Sequence, residues 1–301
     1  MIGELPGRRV DVDVGHASDR IRPVCGYAGC VSTPMRTPLD RARLRSLLSE
    51  KSDFWTEVDV VEVTGSTNAD LVGVARRGGG EGRVLIAEQQ TAGRGRLDRR
   101  WTCPVGAGLM MSVLLRPGRP RREWGTLSLA AAVALEETLR AVAGVAARLK
   151  WPNDVLIGGR KVCGILATGG AEDGSVVLGL GLNVSLTESE LPVPEATSLL
   201  LAGAATLERE VIAAEFLAHF AAVYRTWGES GPAHVVERWR EYSATLGRNV
   251  EVSFPNGRKV AGVATDIAAD GRLVVAGRDG EGREEVVTVA AGDVVHLRRG
   301  D

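Results

Sequence analysis

Residues 147–168 read ARLKWPNDVLIGGRKVCGILAT, and their pattern indicates what kind of sheet this chain forms. Two apolar segments, Ala147–Lys150 and Val155–Ile157, have the length of short strands. A third follows at Val162–Thr168 after Gly158-Gly159, a pair typical of tight turns. Successive hairpins place antiparallel strands side by side, because each short turn reverses the chain. We therefore expect an antiparallel or mixed sheet.

The chain on both sides of this segment alternates between strands and helices. A short helix is predicted to begin at Ser66, Thr67 or Asn68, since small polar residues cap helix N-termini. Hairpins mixed with helices predict an α+β fold, with helices packed on the sheet. The other predicted strands are Val58–Val63, Arg83–Glu88, Leu109–Leu115 and Val176–Val184, and the other helices are Leu127–Val142, Leu207–Thr226 and His234–Thr245.

The two ends of the chain depart from this pattern. Residues 1–36 are rich in Gly, Pro, Arg and Asp, and we interpret them as a disordered tail in which Met35 is a candidate native start. Order is expected to begin with a helix capped by Thr37. After Gly247, short alternating segments separated by turns indicate a small β-barrel. The predicted divisions are 1–36 (tail), 37–246 (main domain) and 247–301 (barrel).

Composition and charge argue against several classes of protein. The chain has 301 residues, with 37 Lys+Arg against 38 Asp+Glu and a formal net charge of −1. This balance argues against a dedicated nucleic-acid binder and against a basic membrane-surface protein. We find no apolar run as long as a membrane span and no secretory signal pattern. The four cysteines lack metal-ligand spacing, so we expect reduced thiols in a cytoplasmic protein.

The segment QQTAGRGRLDRRW, residues 89–101, is the most unusual in the sequence. Its arginines cannot form a core, because buried charges need partners. Arginine forks suit carboxylates and phosphates, and glycines let backbone amides approach an anion. The segment therefore predicts an anion site, with a solvated basic loop or an RNA-binding segment as the alternative. It is not a dinucleotide fingerprint, since Asp98 stands where G-x-G-x-x-G requires its last glycine, and the chain has no Walker A motif.

Three further motifs carry polar groups at places where a ligand could bind: a hairpin end, the start of a helix and a glycine-rich strand. Lys150-Trp151-Pro152-Asn153-Asp154 brings a cation, an amide and a carboxylate to one end of a hairpin, and Lys161 follows one hairpin later. Gly65-Ser66-Thr67-Asn68 precedes a helix. Gly179-Leu180-Gly181-Leu182-Asn183 lies in a strand, where glycine allows a ligand to approach the backbone. Taken singly, the first two motifs are better explained as a turn and a helix cap, and the third is explained equally by tight packing.

In this order, and followed by a small barrel, the four motifs closely resemble those of biotin protein ligases over about residues 57–298. The resemblance implies a class II synthetase-like catalytic domain of the biotin/lipoate ligase type and a C-terminal SH3-like β-barrel. It implies an enzyme that uses ATP and Mg²⁺ to convert biotin into biotinyl-5′-adenylate. The biotin would then pass to one lysine of the carboxyl carrier domain of an acyl-CoA or pyruvate carboxylase.

The resemblance also implies roles for individual residues. Lys150, Arg94 and Arg96 would be catalytic, with Lys150 beside the biotin carboxylate and the α-phosphate. Asp154 would orient a lysine or Mg²⁺, and the metal ligands stay open; Cys103 and Cys163 are not expected to be covalent catalysts. Biotin would contact Ser66, Thr67, Asn68, Gln90, Gly93, Arg94, Gly95, Arg96, Lys150 and Gly164. ATP or the adenylate would contact Arg96, Arg99, Trp101, Lys150, Asn153, Lys161 and Asn183, with Trp101 stacked on the adenine.

One departure from the family pattern bears on DNA binding. Bifunctional members carry an N-terminal winged helix-turn-helix, whereas residues 37–56 have room for one helix. We therefore expect a monofunctional ligase without specific DNA binding, working as a monomer or a homodimer. A lipoate or octanoate ligase on the same kind of fold is one alternative, although the arginine-glycine loop and K-W-P-N-D favour biotin. A non-catalytic regulator that binds biotin or nucleic acid is the other.

Overall fold

The structure is a computed structural model that describes residues 36–169, 174–253, 259–278, 283–290 and 293–296. Of the predicted tail, residues 1–35 lie outside the described residues, and with them Met35, Cys25 and Cys30. The elements in chain order are α1 (Arg41–Ser49), β1 (Glu57–Thr64), α2 (Thr67–Arg76), β2 (Arg83–Gln90), β3 (Gly108–Leu115), α3 (Thr126–Val142), β4 (Arg148–Lys150), β5 (Asp154–Ile157), β6 (Arg160–Gly169), β7 (Val176–Asn183), α4 (Arg209–Ser230), α5 (Ala233–Tyr242), β8 (Asn249–Ser253), β9 (Lys259–Ile267), β10 (Leu273–Arg278), β11 (Glu284–Val289) and β12 (Asp293–His296).

Seven strands form one mixed sheet in the order β1-β2-β3-β7-β6-β5-β4. The pair β1–β2 is parallel, because the chain crosses over through α2 between these two strands. All other pairs in this sheet are antiparallel. The predicted mixed sheet with packed helices is therefore confirmed.

The two faces of this sheet differ because side chains alternate along each strand. Leu109, Met111 and Val113 of β3 point into the main hydrophobic core, which α1, α3 and α4 complete. Leu180 and Leu182 of β7 join the same core. The opposite face carries α2, which packs on β2, β3 and β7 through a smaller apolar cluster. Between α2 and the far strands this second face stays open, and it holds the site described below.

The C-terminal strands form the second sheet, which is antiparallel throughout and ordered β11-β10-β9-β8-β12. This agrees with the small, SH3-like C-terminal β-structure expected from the sequence. It contacts the rest of the chain where Arg240 of α5 forms an ion pair with Asp266 of β9, with an N···O distance of 2.7 Å. The exact division at residue 246 stays a prediction. No described helix is both long enough and apolar enough to cross a membrane.

The first helix starts later than the sequence predicts. Asp40, not Thr37, is its N-cap, and the Asp40 carboxylate accepts hydrogen bonds from the amides of Ala42 and Arg43. Residues 37–39 are held in an extended arrangement by a buried ion pair between Glu88 and Arg209. The Arg209 guanidinium also donates to the Thr37 carbonyl at 2.8 Å. This tertiary anchor competes with the local capping signal and displaces the helix start.

The last helix ends earlier than predicted, at Tyr242 rather than at Thr245. The next residues pair with the end of β4: the Ala244 amide donates to the Leu149 carbonyl at 2.7 Å. The Thr245 hydroxyl accepts a hydrogen bond from the Trp151 amide at 3.0 Å. Contacts with a strand distant in sequence therefore end the helix, and they also hold the K-W-P-N-D turn.

Candidate active site

A cavity of about 530 Å³ lies on the open face of the large sheet. Its floor is formed by glycines, which have no side chains to fill the space. Gly164 of β6 pairs with Gly181 of β7, and Gly179 lies two residues before Gly181 in β7. A Cβ on Gly181 would come within 2.5 Å of the Trp101 ring, and one on Gly179 would collide with Asn68. The alternation G-L-G-L-N therefore removes side chains from the cavity face while its leucines remain in the core.

One end of the cavity is lined by a network of small polar side chains. Ser66 caps α2, which places Thr67 and Asn68 at the cavity wall. The Gln90 side-chain oxygen accepts a hydrogen bond from the Thr67 amide at 2.8 Å. The Asn68 side chain donates to the Leu166 carbonyl at 3.1 Å. The structure thus brings Ser66, Thr67, Asn68 and Gln90, all expected to contact biotin, to one end of the cavity, and these hydrogen bonds fix Gln90 and Asn68.

Ser112 belongs to this network, although the sequence analysis missed it. Its hydroxyl lies 2.6 Å from the Thr67 hydroxyl and donates to the Asn68 side-chain oxygen at 2.6 Å. A signal was present, since Ser112 is the one polar side chain in GLMMSVLL, the strand β3. A buried hydroxyl in an otherwise apolar strand requires a hydrogen-bonding partner.

The opposite end of the cavity carries two lysines, one from β4 and one from β6, the strands on either side of β5. Lys150 ends β4 and stands opposite Asp154 of β5 in the strand register. The Asp154 carboxylate pairs with the Lys161 ammonium at 2.6 Å, so of the two roles open to Asp154 the structure supports orienting a lysine. Among the described residues, no carboxylate forms an ion pair with Lys150. Both lysines line the same cavity.

Trp101 covers the glycine floor between these two ends. Its indole lies against the backbone of Gly181 and Gly164, and the Lys161 ammonium is 5.7 Å from the ring centre. Two glycines on paired strands leave a flat surface that accepts an aromatic ring. Stacking of this ring on adenine stays a prediction.

The arginine-glycine segment is an ordered loop at the rim of the cavity. Its two arms are joined by the Trp101 amide, which donates to the Gly93 carbonyl at 3.0 Å, and by the Gly95 amide, which donates to the Arg99 carbonyl at 2.7 Å. Arg94, Arg96, Arg99 and Arg100 all line the cavity. The loop thus brings four guanidinium groups to the lysine-containing cavity, as an anion site requires.

Gly93, by contrast, does not line the cavity, although biotin contact was expected for it. Its role is to close the loop, since a Cβ at this position would lie 2.6 Å from the Trp101 carbonyl oxygen. Two residues expected to contact ATP or the adenylate use their side-chain nitrogens for hydrogen bonds to backbone carbonyls. Asn153 donates to the Ile165 carbonyl at 2.8 Å, and Asn183 donates to the Thr197 carbonyl at 2.9 Å. Both still line the cavity.

The C-terminal sheet supports the K-W-P-N-D turn from below. Trp151 is buried, and its indole N–H donates to the Gly271 carbonyl in the β9–β10 turn at 3.0 Å. A second cavity of about 350 Å³ lies on this side of the turn. It shares Trp151, Pro152 and Asn153 with the first cavity and carries Arg122 and Arg272.

A further wall of the cavity was not predicted from the sequence. Residues 192–196 follow β7 and a short 3-10 turn at Glu188–Glu190, and Pro192, Val193 and Ala196 line the cavity. The wall is tied to β6, because the Lys161 amide donates to the Glu195 carbonyl at 2.7 Å. The two prolines that flank Val193 were the available signal, since they favour a stiff segment without regular structure. We call residues 191–196 the proline wall.

The cysteine thiols near the cavity are protonated at neutral pH. Burial raises the pKa of Cys103 to about 12, and burial also raises the pKa of Cys163. A thiol that stays protonated is a poor nucleophile, which agrees with the expectation that neither is a covalent catalyst. Within the part of the chain that the structure describes, no three His, Cys, Asp or Glu residues cluster as a metal site.

Comparison with protein families gives two matches. Residues 61–183 match the biotin/lipoate A/B protein ligase family, and residues 245–297 match the biotin protein ligase C-terminal domain. The biotin–[acetyl-CoA-carboxylase] ligase of Mycobacterium tuberculosis is 44% identical over 269 residues, which cover 88% of this chain and 98% of that protein. The bifunctional ligase/repressor BirA of Bacillus subtilis is 34% identical, over 73% of this chain and 69% of that protein.

Solved structures share the fold at lower identity. The biotin protein ligase from Aquifex aeolicus in complex with biotin and ATP superposes with a TM-score of 0.67 at 23% identity. The match covers 81% of this chain and all of that one. At this identity the likeness shows the arrangement of the fold.

Proposed function

This chain belongs to the biotin protein ligase family, and we propose that it activates biotin with ATP to biotinyl-5′-adenylate and transfers the biotin to a lysine of a carboxyl carrier domain. The observation that carries the proposal is one cavity with two unlike ends. A dense set of amide and hydroxyl groups stands at one end, and two lysines under four loop arginines stand at the other. A urea ring needs the first set of groups, and two anions that must meet need the second.

The first step joins two groups that repel each other. An oxygen of the biotin carboxylate attacks the α-phosphorus of ATP, a mixed anhydride bond forms, and pyrophosphate leaves. Lys150 neutralises the approaching anions, because its ammonium lines the cavity without a carboxylate partner among the described residues. Arg94 and Arg96 add positive charge from the loop above. In the second step the carrier lysine amine attacks the carbonyl carbon and AMP leaves.

The polar end of the cavity would recognise the ureido ring. Thr67, Asn68, Gln90 and Ser112 are mutually hydrogen-bonded, so their remaining donors and acceptors hold fixed directions. Such preorganisation favours a buried urea, because each polar group left without a partner costs about 1–3 kcal/mol. Trp101 would turn from the glycine floor onto the adenine, and the loop would exclude water from the anhydride.

Magnesium would be bound mainly by the nucleotide. Asp154 is the one carboxylate among the described lining residues, and it already pairs with Lys161. This donor set fits a cation that keeps several water ligands and is carried by substrate phosphates, as Mg²⁺ commonly is. Bound there, Mg²⁺ would offset part of the charge on the triphosphate. The second cavity, which is lined by Arg122 and by an Arg272 paired with Asp270, provides room for the same phosphates.

The test is incubation with ATP, Mg²⁺, biotin and a carrier domain, with covalent biotin on the carrier lysine as the readout. Parallel reactions with lipoate and octanoate test the nearest alternative. We expect two results. Pyrophosphate release should depend on biotin, and the carrier lysine should become biotinylated. Release that depends on lipoate or octanoate instead would contradict the proposal.

Several finer statements stay predictions. The acceptor is a carrier domain of an acyl-CoA or pyruvate carboxylase, and the enzyme acts in the cytoplasm as a monomer or a homodimer. It does not bind DNA specifically, which an electrophoretic shift with random duplex at several salt concentrations would test.

A further inference from the structure

Arg36 connects two segments at the outer side of the active-site cavity. Its guanidinium donates to the Ser185 carbonyl at 2.9 Å and to the Ser185 hydroxyl at 3.2 Å. The same guanidinium forms an ion pair with Glu190 at 2.6 Å. The Arg36 side chain is 14% exposed, so these bonds are largely shielded from water.

The first connected segment is the returning arm of the arginine-glycine loop, residues 101–107. A Cβ on Gly106 would lie 3.0 Å from the Arg36 Cβ, and the positive φ of Gly106, 70°, also favours glycine there. The next carbonyl, that of Ala107, accepts hydrogen bonds from the amides of Val184 and Ser185. The arm that carries Trp101 into the cavity is therefore hydrogen-bonded to Ser185, the residue to which Arg36 also binds.

The second connected segment is the proline wall. Glu190 ends the 3-10 turn from which this wall leaves, and its carboxylate also accepts a hydrogen bond from the Thr187 amide at 2.9 Å. Two residues later, Pro192 begins the part of the proline wall that lines the same cavity as the loop. One guanidinium therefore sets the spacing between the two walls that close over the bound groups, without touching the cavity itself.

We propose that Arg36 is a positioning residue that holds the loop arm and the proline wall together and so controls how long the activated intermediate is retained. The inference rests on the proposed function. Formation of the adenylate depends on the lysines and loop arginines, which Arg36 does not contact. Retention depends on closure of both walls, because a mixed anhydride is lost by escape or by hydrolysis when water enters.

The experiment separates formation of the adenylate from its release. In the full chain, Arg36→Ala and Glu190→Ala should each speed release of labelled biotinyl-adenylate about tenfold, as expected for loss of a charge-assisted hydrogen bond. The rate of pyrophosphate formation in the first turnover should change less than about threefold, since the chemical groups remain in place. The double variant should release no faster than Arg36→Ala, because Glu190 acts through its ion pair with Arg36.

Arg160→Ala is the matched control, since Arg160 pairs with Glu188 in the same 3-10 turn but reaches it from β6. It should release the adenylate at the wild-type rate. If Arg36→Ala does not fold, Arg36→Lys and Glu190→Gln carry the test, with release rates between those of the wild type and Glu190→Ala. Wild-type release from the Arg36 and Glu190 variants, or additive effects in the double variant, would overturn the inference. Absence of any biotin-dependent adenylate in the wild type would instead overturn the proposed function.

Discussion

Lys150 and Lys161 line the same cavity but differ in their electrostatic surroundings. Lys161 is held by Asp154, whereas Lys150 has no carboxylate partner among the described residues. Of these two lysines, Lys150 is therefore the one whose positive charge is available to incoming anions.

We expect Lys150→Ala to lower the rate of adenylate formation by about a hundredfold or more, because it removes charge stabilisation from the transition state. Biotin-dependent pyrophosphate exchange measures this rate, and circular dichroism checks the fold. Lys51→Ala is the control, since Lys51 pairs with Glu215 away from the cavity. Wild-type exchange by Lys150→Ala would contradict the catalytic role.

Glu190 gives a prediction about stability and pH. The hydrogen bond from Arg36 lowers the pKa of Glu190 from 4.5 to about 2. A carboxyl group whose pKa is lower in the folded state stabilises the fold above its unfolded pKa, and the contribution is lost as pH falls through the folded value. The free energies of unfolding of wild type and Arg36→Ala should therefore differ at pH 6 and converge between about pH 4.5 and pH 2. Denaturant melts at stepped pH measure the difference, and a constant gap would contradict the assignment.

At the level of elements, the arginine-glycine loop is the segment whose conformation is least typical. Leu97 has φ 54° and ψ 39° in a short 3-10 turn, and its side chain is 58% exposed. A leucine in the left-handed region costs about 1 kcal/mol or more, a feature that occurs mainly at functional loops. This turn presents Arg96 to the cavity.

Arg96→Ala should weaken retention of the biotinyl-adenylate and release more of it to solvent, because the loop loses one of its contacts to the anion. A filter-binding assay measures the retained fraction. Arg76→Ala is the control, since Arg76 ends α2 outside the residues that line the cavity. Unchanged retention in Arg96→Ala would count against a covering role for the loop.

For the whole molecule, the indole of Trp151 connects the site to the C-terminal sheet. Its loss leaves the Gly271 carbonyl without this donor, so Trp151→Phe should lower the free energy of unfolding by about 1–3 kcal/mol. It should also raise the KM for ATP, since the turn that carries Lys150 and Asn153 loses its support. Thermal melts and initial rates measure the two effects.

Trp55→Phe is the matched control for this prediction. Its buried indole donates to the Leu217 carbonyl at 2.9 Å, so it loses a similar bond at a place outside the lining of both cavities. It should lower stability while leaving the KM for ATP unchanged. Equal KM values for ATP in both variants would show that the C-terminal sheet does not support the turn.

Short apolar or alternating segments bounded by turn residues were sufficient to predict where the strands lie, because a strand that packs on a core must carry apolar side chains. The G-L-G-L-N pattern is an example, since its leucines point to the core and its glycines to the cavity. The motif residues were also predictable, and fourteen of the fifteen expected contacts line one cavity; the exception is Gly93. Their polar and charged side chains have no use in a core, so their presence signals a site.

Four features could not be predicted, because they depend on contacts between residues far apart in sequence. The start of α1 and the end of α5 are set by Arg209 and by Leu149 rather than by local caps. The part of Ser112 in the polar network depends on α2 lying over β3. The proline wall and its connection to Arg36 join residues 149 or more positions apart. The local sequence shows which residues avoid water. The hydrogen-bond and ion-pair partners of groups far apart in sequence are decided only by the tertiary structure, because folding brings those groups together.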